Sequence, residues 1–285
     1  MPWPFDRGYM QLALYSGVVV GAVAPMIVTF LVQKRLSLMG DGIGHVALAG
    51  VAAGLLAGVW PIWTALVIAV LAALGIQMMQ RRGVAGDLAL ALVFYAGIAA
   101  AAVIAQLARS LDASFIGYLF GSVFTVAPSE VWLIAGLGVV IVVAIAVTGP
   151  ALFAIVVDEE SARVAGLPVD RLNALLAILV ALTIVVAMRV VGVLLVAALM
   201  VLPVGASQVL ARSFRATILG ASAVGVGSVV VGLTLARAQG DLQPGGTIVL
   251  VAAAAFVIAT LLSRRPHAVI GASPVDQHLP VEHHH

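Results

Sequence analysis

Residues 171–211 read "RLNALLAILVALTIVVAMRVVGVLLVAALMVLPVGASQVLA", and Arg189 is the only charged residue in this stretch after Arg171. A transmembrane helix needs about 20 apolar residues to cross a hydrocarbon layer of about 30 Å. At about 1.5 Å per residue, one continuous helix here would be about twice that length. The stretch is therefore predicted to form two adjacent spans, 171–189 and 191–211, with Arg189 at a membrane surface.

The rest of the chain repeats this apolar character. Of its 285 residues, 63% are hydrophobic and only 9% are charged, and the mean hydropathy is +1.21. Soluble domains carry about 25% charged residues. The predicted fold class is an all-α polytopic membrane protein with nine transmembrane helices, or eight if one segment is re-entrant. The other predicted spans are 11–33, 38–58, 61–80, 87–108, 129–148, 216–236 and 246–263.

Two segments do not read as spans. Residues 109–128, "RSLDASFIGYLFGSVFTVAP", are amphipathic and broken, which predicts a loop with a short surface or re-entrant helix. Residues 266–285 are polar and contain three prolines, and they end in "VEHHH", which looks like the remnant of an affinity tag. We therefore expect one transmembrane domain over 1–265 and a disordered cytoplasmic tail over 266–285.

The basic residues predict the orientation of the spans. Cytoplasmic loops of membrane proteins carry an excess of lysine and arginine. With the end of the first span in the cytoplasm, ten basic residues lie inside and four outside, so we expect the N-terminus outside. The inner ones are Lys34, Arg35, Arg81, Arg82, Arg163, Arg171, Arg212, Arg215, Arg264 and Arg265, and the outer ones are Arg7, Arg109, Arg189 and Arg237.

Composition also excludes several classes of function. The formal net charge is +2, but the basic residues are scattered between apolar runs and form no patch for nucleic acid. The chain has no cysteine, which excludes disulfides, thiolate metal sites and iron–sulfur clusters. No permanently bound cofactor is expected.

A carboxylate and an imidazole stand four residues apart in the stretch "LMGDGIGHVALAG" at 38–50. On a helix, Asp41 and His45 would share one face. Carboxylate and imidazole together suit zinc, manganese or ferrous iron. Ionisable residues inside membrane spans cost about 2.5–3.5 kcal/mol and usually face a cavity or a substrate path. The alternative is structural, with Asp41 capping the second helix and His45 bonding to a neighbouring carbonyl group, and spacing alone does not separate the two.

A second polar segment lies in a loop that the orientation places in the cytoplasm. Asp158 is predicted to cap a short helix, with Glu159 and Glu160 in its first turn, where negative charge suits the helix dipole. Gly166 and Pro168 would end this helix. The segment 158–167 is a candidate docking helix for a cytoplasmic partner, although an ordinary loop helix would have the same pattern.

A proline lies inside the predicted seventh span. Pro203 removes a backbone hydrogen bond, and the freed carbonyl groups must find partners or line a cavity. The residue would therefore kink the helix beside a pathway or serve packing alone.

Four blocks of the sequence resemble the metal-ion class of ABC-importer permeases, the zinc, manganese and iron importers of bacteria. They are "RLSLMGDGIGHVALAGVAAGLLAG" at 35–58, "VDEESARVAGLPVDRLN" at 157–173, "RVVGVLLVAALMVLPVGAS" at 189–207 and "GDLQPGGTIVL" at 240–250. Gly40, Asp41 and His45 match the G-D-x-x-x-H signature of that family. The blocks occur in the family's order and span most of the chain.

The resemblance implies a function and partners. Asp41 and His45 would form part of a metal site along the pathway of a bacterial plasma-membrane permease, whose architecture is related to the vitamin B12 and siderophore importers. The second block would couple the permease to cytoplasmic ATP-binding subunits. The permease would act as a homodimer with the pathway at the symmetry axis, and an extracytoplasmic solute-binding protein would deliver the metal. The coupling residues would be Asp158, Glu159, Glu160, Ala162, Gly166 and Leu167.

The chain lacks the means to use ATP itself. Its only lysine, Lys34, follows Gln33, so no P-loop G-K-S/T sequence exists and the chain is not expected to be an enzyme. A siderophore or cobalamin permease is the alternative within this architecture. A proton- or sodium-coupled transporter would usually carry more ionisable residues in its spans. An intramembrane enzyme is disfavoured because neither H-E-x-x-H nor G-x-S-x-G occurs.

Overall fold

The computed structural model describes residues 7–34, 36–107, 113–121, 127–239 and 242–263, and within these ranges all regular structure is helical. Eleven helices are present in the described ranges. They are α1 (Gly8–Gln33), α2 (Met39–Ala57), α3 (Pro61–Arg81), α4 (Gly86–Leu107), α5 (Ala113–Phe120), α6 (Pro128–Val157), α7 (Glu159–Val164), α8 (Val169–Val191), α9 (Val193–Leu210), α10 (Phe214–Ala238) and α11 (Pro244–Leu262).

Nine helices among the described residues are long and apolar enough to cross a membrane, namely α1–α4, α6 and α8–α11. The all-α class and the count of nine spans are confirmed, and the eight-span alternative is not supported. The short helix expected within 109–128 is α5; the residues on either side of it, 108–112 and 122–126, lie outside the described ranges. The predicted tail at 266–285 also lies outside them.

Two boundaries differ from the sequence prediction. The helix predicted to end at residue 148 continues to Val157, so that boundary was wrong. Thr148, Gly149 and Pro150 favour helix ends, but the hydroxyl of Thr148 donates to the carbonyl of Ala144 and Pro150 is accommodated inside α6. The break in 171–211 falls at Gly192, whose φ of 89° lies in a region that favours glycine.

Three helices form the centre of the bundle. The most apolar stretches of α1, α2 and α8 are 67%, 67% and 72% buried, against 17% for α6 and 22% for α11. Helix α2 packs against α3, α4, α8 and α9, and α1 packs against α6, α8, α9 and α10. The helix that carries Asp41 and His45 is therefore enclosed on several sides by other helices.

Chain direction alternates between consecutive spans, so the bundle has two distinct ends. The α7 end comprises α7 with the C-terminal ends of α1 and α3 and the N-terminal end of α8. The α5 end comprises α5, the break at Gly192 and the N-terminal ends of α6 and α11.

A buried ion pair holds the α5 end together. Arg189 Nε lies 2.9 Å from Glu130 Oε1, and the two side chains are only 13% and 6% exposed. Glu130 also accepts a hydrogen bond from the backbone N–H of Ala127 at the start of α6. The guanidinium group of Arg189 stands 4.9 Å from the ring centroid of Tyr118. Burial raises the pKa of the Tyr118 phenol, so this contact stays between a cation and a neutral ring. The side chain of Arg189 is therefore largely buried inside the α5 end, where it joins α8 to α6, rather than exposed to water.

Backbone contacts at glycine close the same end. Gly121 and Gly192 have φ angles of 80° and 89°, and the main chains of residues 120–121 and 191–192 touch. The side chain of Gln243 also donates to the carbonyl of Phe120 at 3.0 Å. These contacts fix α5 against α8, α9 and α11.

Candidate functional site

Asp41 and His45 do share one face of α2, as the spacing predicted. Helix α2 begins at Met39 after Leu38, which provides no side-chain cap, and Asp41 lies in the first turn. The alternative in which Asp41 caps the helix is therefore wrong. His45 Nε2 lies 3.7 Å from Asp41 Oδ1. Two ligands at about 2.1 Å from one tetrahedral ion are about 3.4 Å apart, so this separation suits a shared metal ion.

Helix α4 holds the imidazole in place. The ring of His45 stands edge-on to Phe94, with centroids 4.8 Å apart and planes at 88°. One turn further on, Gly97 lies against the backbone of α2, where an added Cβ would come within 2.8 Å of the Val46 nitrogen. The small residue at 97 thus allows α4 to approach α2 at His45.

The carboxylate of Asp41 opens into a cavity of about 260 Å³ between α2 and α4. Asp87 of α4 lines the same cavity, and its other walls come from Leu38, Leu90, Ala91, Phe94 and Tyr95. The side chain of His45 is 13% exposed and that of Asp41 is 37% exposed. The described part of the chain contains no group of three or more histidine or acidic side chains placed to hold a metal ion. A single copy therefore offers Asp41 and His45 as an incomplete ligand set.

The predicted cytoplasmic segment forms the capped helix α7. The carboxylate of Asp158 accepts hydrogen bonds from the backbone N–H groups of Glu160 and Ser161, both at 3.0 Å. The hydroxyl of Ser161 also donates to this carboxylate, and these bonds hold the pKa of Asp158 below its ordinary value. Gly166, with φ of 83°, lies just after the end of the helix.

The residues predicted to couple this helix to a partner divide between two faces. Glu160 and Gly166 are exposed and Leu167 is half-buried, whereas Ala162 faces the bundle and is buried. Val164, which was not among the predicted coupling residues, is 86% exposed. Val164 therefore lies on the outer side of α7, as Glu160 does.

Glu159, whose side chain is 45% exposed, connects α7 to two other helices. Its Oε2 lies 3.0 Å from Lys34 Nζ at the end of α1, and its Oε1 accepts from Asn173 Nδ2 of α8 at 3.1 Å. Lys34 Nζ also donates to Asn173 Oδ1 at 2.6 Å. We call these three residues the Lys34–Glu159–Asn173 triad. The roles of Lys34 and Asn173 were not predicted from the sequence, because Lys34 lies 125 and 139 residues away from Glu159 and Asn173 and no local pattern joins them.

A second, more exposed set of ion pairs lies beside the triad. Asp170 of α8 lies 3.3 Å from Arg163 of α7 and 3.8 Å from Arg81 of α3. Both sets line an open cavity of about 870 Å³ at the α7 end. This end of the bundle therefore presents a wide polar recess next to the exposed face of α7.

Pro203 is buried in α9, which continues from Val193 to Leu210. Met200, three residues earlier, packs toward Gly40, the neighbour of Asp41 in α2. Helix α9 thus lies beside the start of α2, and the predicted role of Pro203 as a kink in the pathway stays a prediction.

Comparison with known proteins identifies the family. The sequence pattern of the ABC 3 transport family matches residues 6–263. The chain belongs to this family. The resemblance to ABC-importer permeases that the G-D-x-x-x-H block indicated is thereby confirmed, and the chain is a multi-pass inner-membrane transporter component. Membership sets aside the secondary transporter and the intramembrane enzyme.

Relatives in the family share nearly the whole length. The manganese transport system membrane protein MntC of Listeria innocua is 31% identical over 257 residues, which cover 90% of this chain and 91% of that protein. The manganese import system permease protein ScaB of Streptococcus gordonii is 29% identical over 259 residues, covering 90% and 92%.

Solved structures agree with the fold. The structure of PsaBC from Streptococcus pneumoniae in complex with a Fab contains a chain that matches with a TM-score of 0.82 at 29% identity, covering 91% of this chain and 93% of that one. A chain described as a metal-chelate type ABC transporter in an inward-facing conformation matches with a TM-score of 0.66 at 15% identity, covering 88% and 87%. The second likeness shows that the fold is shared with that type of transporter.

Proposed function

We propose that this chain is the membrane permease subunit of an ATP-driven importer of divalent metal ions, and that Asp41 and His45 bind the ion on its way through. The Asp41–His45 pair carries the proposal, because a carboxylate and an imidazole 3.7 Å apart on an enclosed membrane helix can share one ion. Zinc, manganese and ferrous iron all suit this pair. The names of the relatives MntC and ScaB support manganese as the first ion to test.

The chemistry of the pair favours a free ion over a metal chelate. A siderophore or cobalamin brings its metal already enclosed by ligands, so an imidazole and a carboxylate would have no ligand role toward it. A bare divalent ion must instead replace its water shell with oxygen and nitrogen ligands.

A homodimer would complete the site. One copy supplies only Asp41 and His45, and the cavity at Asp41 lies at the edge of the bundle beside α4, whose outward residues Leu88, Leu92 and Tyr95 are exposed and largely apolar. An ionised carboxylate facing lipid would be costly. A second copy that covers this face about a symmetry axis would remove that cost and bring a second Asp41–His45 pair to the same pathway.

Energy would come from ATP-binding subunits docked at the α7 end. The distribution of basic residues places this end in the cytoplasm. The exposed side chains of Glu160 and Val164 would contact the ATPase, and the recess of about 870 Å³ beside them would receive part of it. An extracytoplasmic metal-binding protein would deliver the ion at the α5 end.

The proposal is tested by assembling the permease with its cognate ATPase in proteoliposomes and measuring uptake of manganese, zinc and ferrous ions. We expect uptake that requires both ATP and the ATPase, and no ATP hydrolysis by the permease alone. Uptake driven by a proton or sodium gradient without ATP would contradict the proposal.

The docking assignment has its own test. Replacing Val164 with aspartate and Glu160 with arginine should prevent co-purification of the ATPase while leaving the permease folded. Arg82→Gln, an exposed change on the same end, is the matched control and should bind the ATPase normally. Alkaline phosphatase fusions check the orientation: a fusion after residue 112 should be active and one after residue 160 inactive. Normal ATPase binding by the Glu160/Val164 variant would remove the docking role of α7.

A further inference from the structure

We infer that Lys34 is a positioning residue that transmits movement of α7 to α2, the helix that bears Asp41 and His45. The inference rests on the proposed function, because it assumes that α7 receives the movement from an ATPase. It identifies the contacts that connect α7, the docking helix, to the Asp41–His45 pair on α2.

The triad forms a closed set of contacts between three helices. Lys34 Nζ reaches both Glu159 Oε2 at 3.0 Å and Asn173 Oδ1 at 2.6 Å, and Asn173 Nδ2 donates to Glu159 Oε1 at 3.1 Å. Each member contacts the other two. The side chain of Lys34 is 13% exposed and Asn173 is buried, whereas the side chain of Glu159 is 45% exposed. The triad is therefore enclosed at Lys34 and Asn173 and open to water at Glu159.

Apolar packing offers α7 little other connection to the bundle. Ala162 is the only buried residue among the six of this helix. The ion pair of Arg163 with Asp170 is exposed on both sides (56% and 52%), whereas the Lys34 side of the Lys34–Glu159 pair is only 13% exposed, and exposed pairs hold their partners weakly. A displacement of α7 is therefore passed on mainly through Glu159 and the partners it holds.

Lys34 passes that displacement to α2 over a short, hydrogen-bonded turn. Lys34 ends α1, and α2 begins at Met39. Within the turn, the backbone N–H of Leu36 donates to Leu31 and that of Met39 donates to Leu36, both at 2.9 Å. The N–H of Asp41 in turn donates to the carbonyl of Leu38. These hydrogen bonds connect the end of α1 to the first turn of α2, where Asp41 lies, so a shift at Lys34 is expected to reach Asp41.

The experiment measures metal ions transported per ATP hydrolysed by the assembled transporter in proteoliposomes. Lys34→Gln keeps a hydrogen bond to Asn173 but loses the charge that holds Glu159. We expect the ratio to fall about ten-fold, within the range of about 5–150-fold typical of coupling between two sites, with ATPase binding and ATP hydrolysis retained. Arg82→Gln is the matched control: it removes an exposed charge at the same end of the bundle, outside both the triad and the recess, and should leave the ratio unchanged.

Rescue separates transmission from a general loss of structure. Exchanging the charges with Lys34→Glu and Glu159→Lys together should recover most of the ratio lost with Lys34→Glu alone, because the amide of Asn173 both donates and accepts. This comparison serves even if Lys34→Gln folds poorly.

An unchanged ratio in Lys34→Gln, or no recovery in the double variant, would overturn the inference. Loss of ATPase binding in Lys34→Gln would also overturn it, since Lys34 would then belong to docking. Failure of the proposed function is distinct, because the wild-type transporter would then show no ATP-driven uptake.

Discussion

The two ends of the bundle are both held by charged groups, but they differ in burial. At the α5 end, Arg189 and Glu130 are almost completely enclosed and the surrounding backbones touch at glycine. At the α7 end, the pairs of Asp170 are about half exposed and line a wide recess. Buried pairs are costly to break and exposed ones are not. The α5 end is therefore built to keep its geometry, and the α7 end to adjust when a partner binds.

Gly192→Ala should have the largest effect on stability and is the strongest test of a rigid α5 end. An alanine at φ 89° is strained by about 1–3 kcal/mol, and its Cβ would also collide with the main chain of residues 119–121. We expect little folded protein by size-exclusion chromatography of a fluorescent fusion. Gly166→Ala is the matched control at the α7 end, because its φ is 83° but its surroundings are open. Equal yields from the two variants would contradict the difference in packing.

Arg189→Met should have the next largest effect, a loss of about 3–5 kcal/mol in the free energy of unfolding, because Glu130 is left buried without its partner. The equivalent change at the other end, Arg163→Met, should cost only about 0–1 kcal/mol. Denaturant unfolding in detergent micelles measures both. The double variant Arg189→Met/Glu130→Gln should recover part of the loss. Equal destabilisation by the two single variants would mean that the ends do not differ in this way.

Asp158→Ala should have the smallest effect, confined to α7. The hydroxyl of Ser161 and backbone N–H groups lower the pKa of Asp158, so the cap stabilises α7 at neutral pH. That contribution is lost as the pH falls below the ordinary pKa of 3.8 and through the lower value of the folded protein. At pH 7 we expect hydrogen exchange of the Glu160 and Ser161 amides to be about five-fold faster in the variant.

The pH dependence supplies a control for this cap. Asp158→Asn keeps an oxygen acceptor but has no titratable charge. After correction for the intrinsic exchange rate, the Glu160 and Ser161 amides should become less protected at acidic pH in the wild type, but not in Asp158→Asn. Identical exchange in wild type and Asp158→Ala would show that the cap does not order α7.

The sequence predicted the fold well where local patterns determine it. The apolar runs, the break near Arg189 and the cap at Asp158 are local, and the structure places nine spans and α7 accordingly. The end of α6 was missed because Pro150 reads locally as a helix breaker, whereas the surrounding helix accommodates it.

The candidate site was predictable in part for the same reason. Asp41 and His45 are four residues apart, so the period of the helix brings them together. The triad, by contrast, joins Lys34 to residues 125 and 139 positions away, and Arg189 pairs with Glu130 over 59 positions. Such pairs depend on how helices pack, which no local pattern encodes. The exposure of Val164 and the inward direction of Ala162 likewise follow from how α7 is attached.

The central claim, that the Asp41–His45 pair binds the transported ion, is tested most directly by manganese uptake per folded permease in the assembled transporter carrying His45→Gln. Glutamine keeps hydrogen bonding but is a poor ligand for manganese or zinc. The account predicts a loss of about 100-fold or more, with normal amounts of folded protein and normal ATPase binding. Adding Asp41→Ala to this variant should then cost little more, because the two side chains act on one ion. Uptake by His45→Gln equal to that of the wild type, per folded molecule, would contradict the claim.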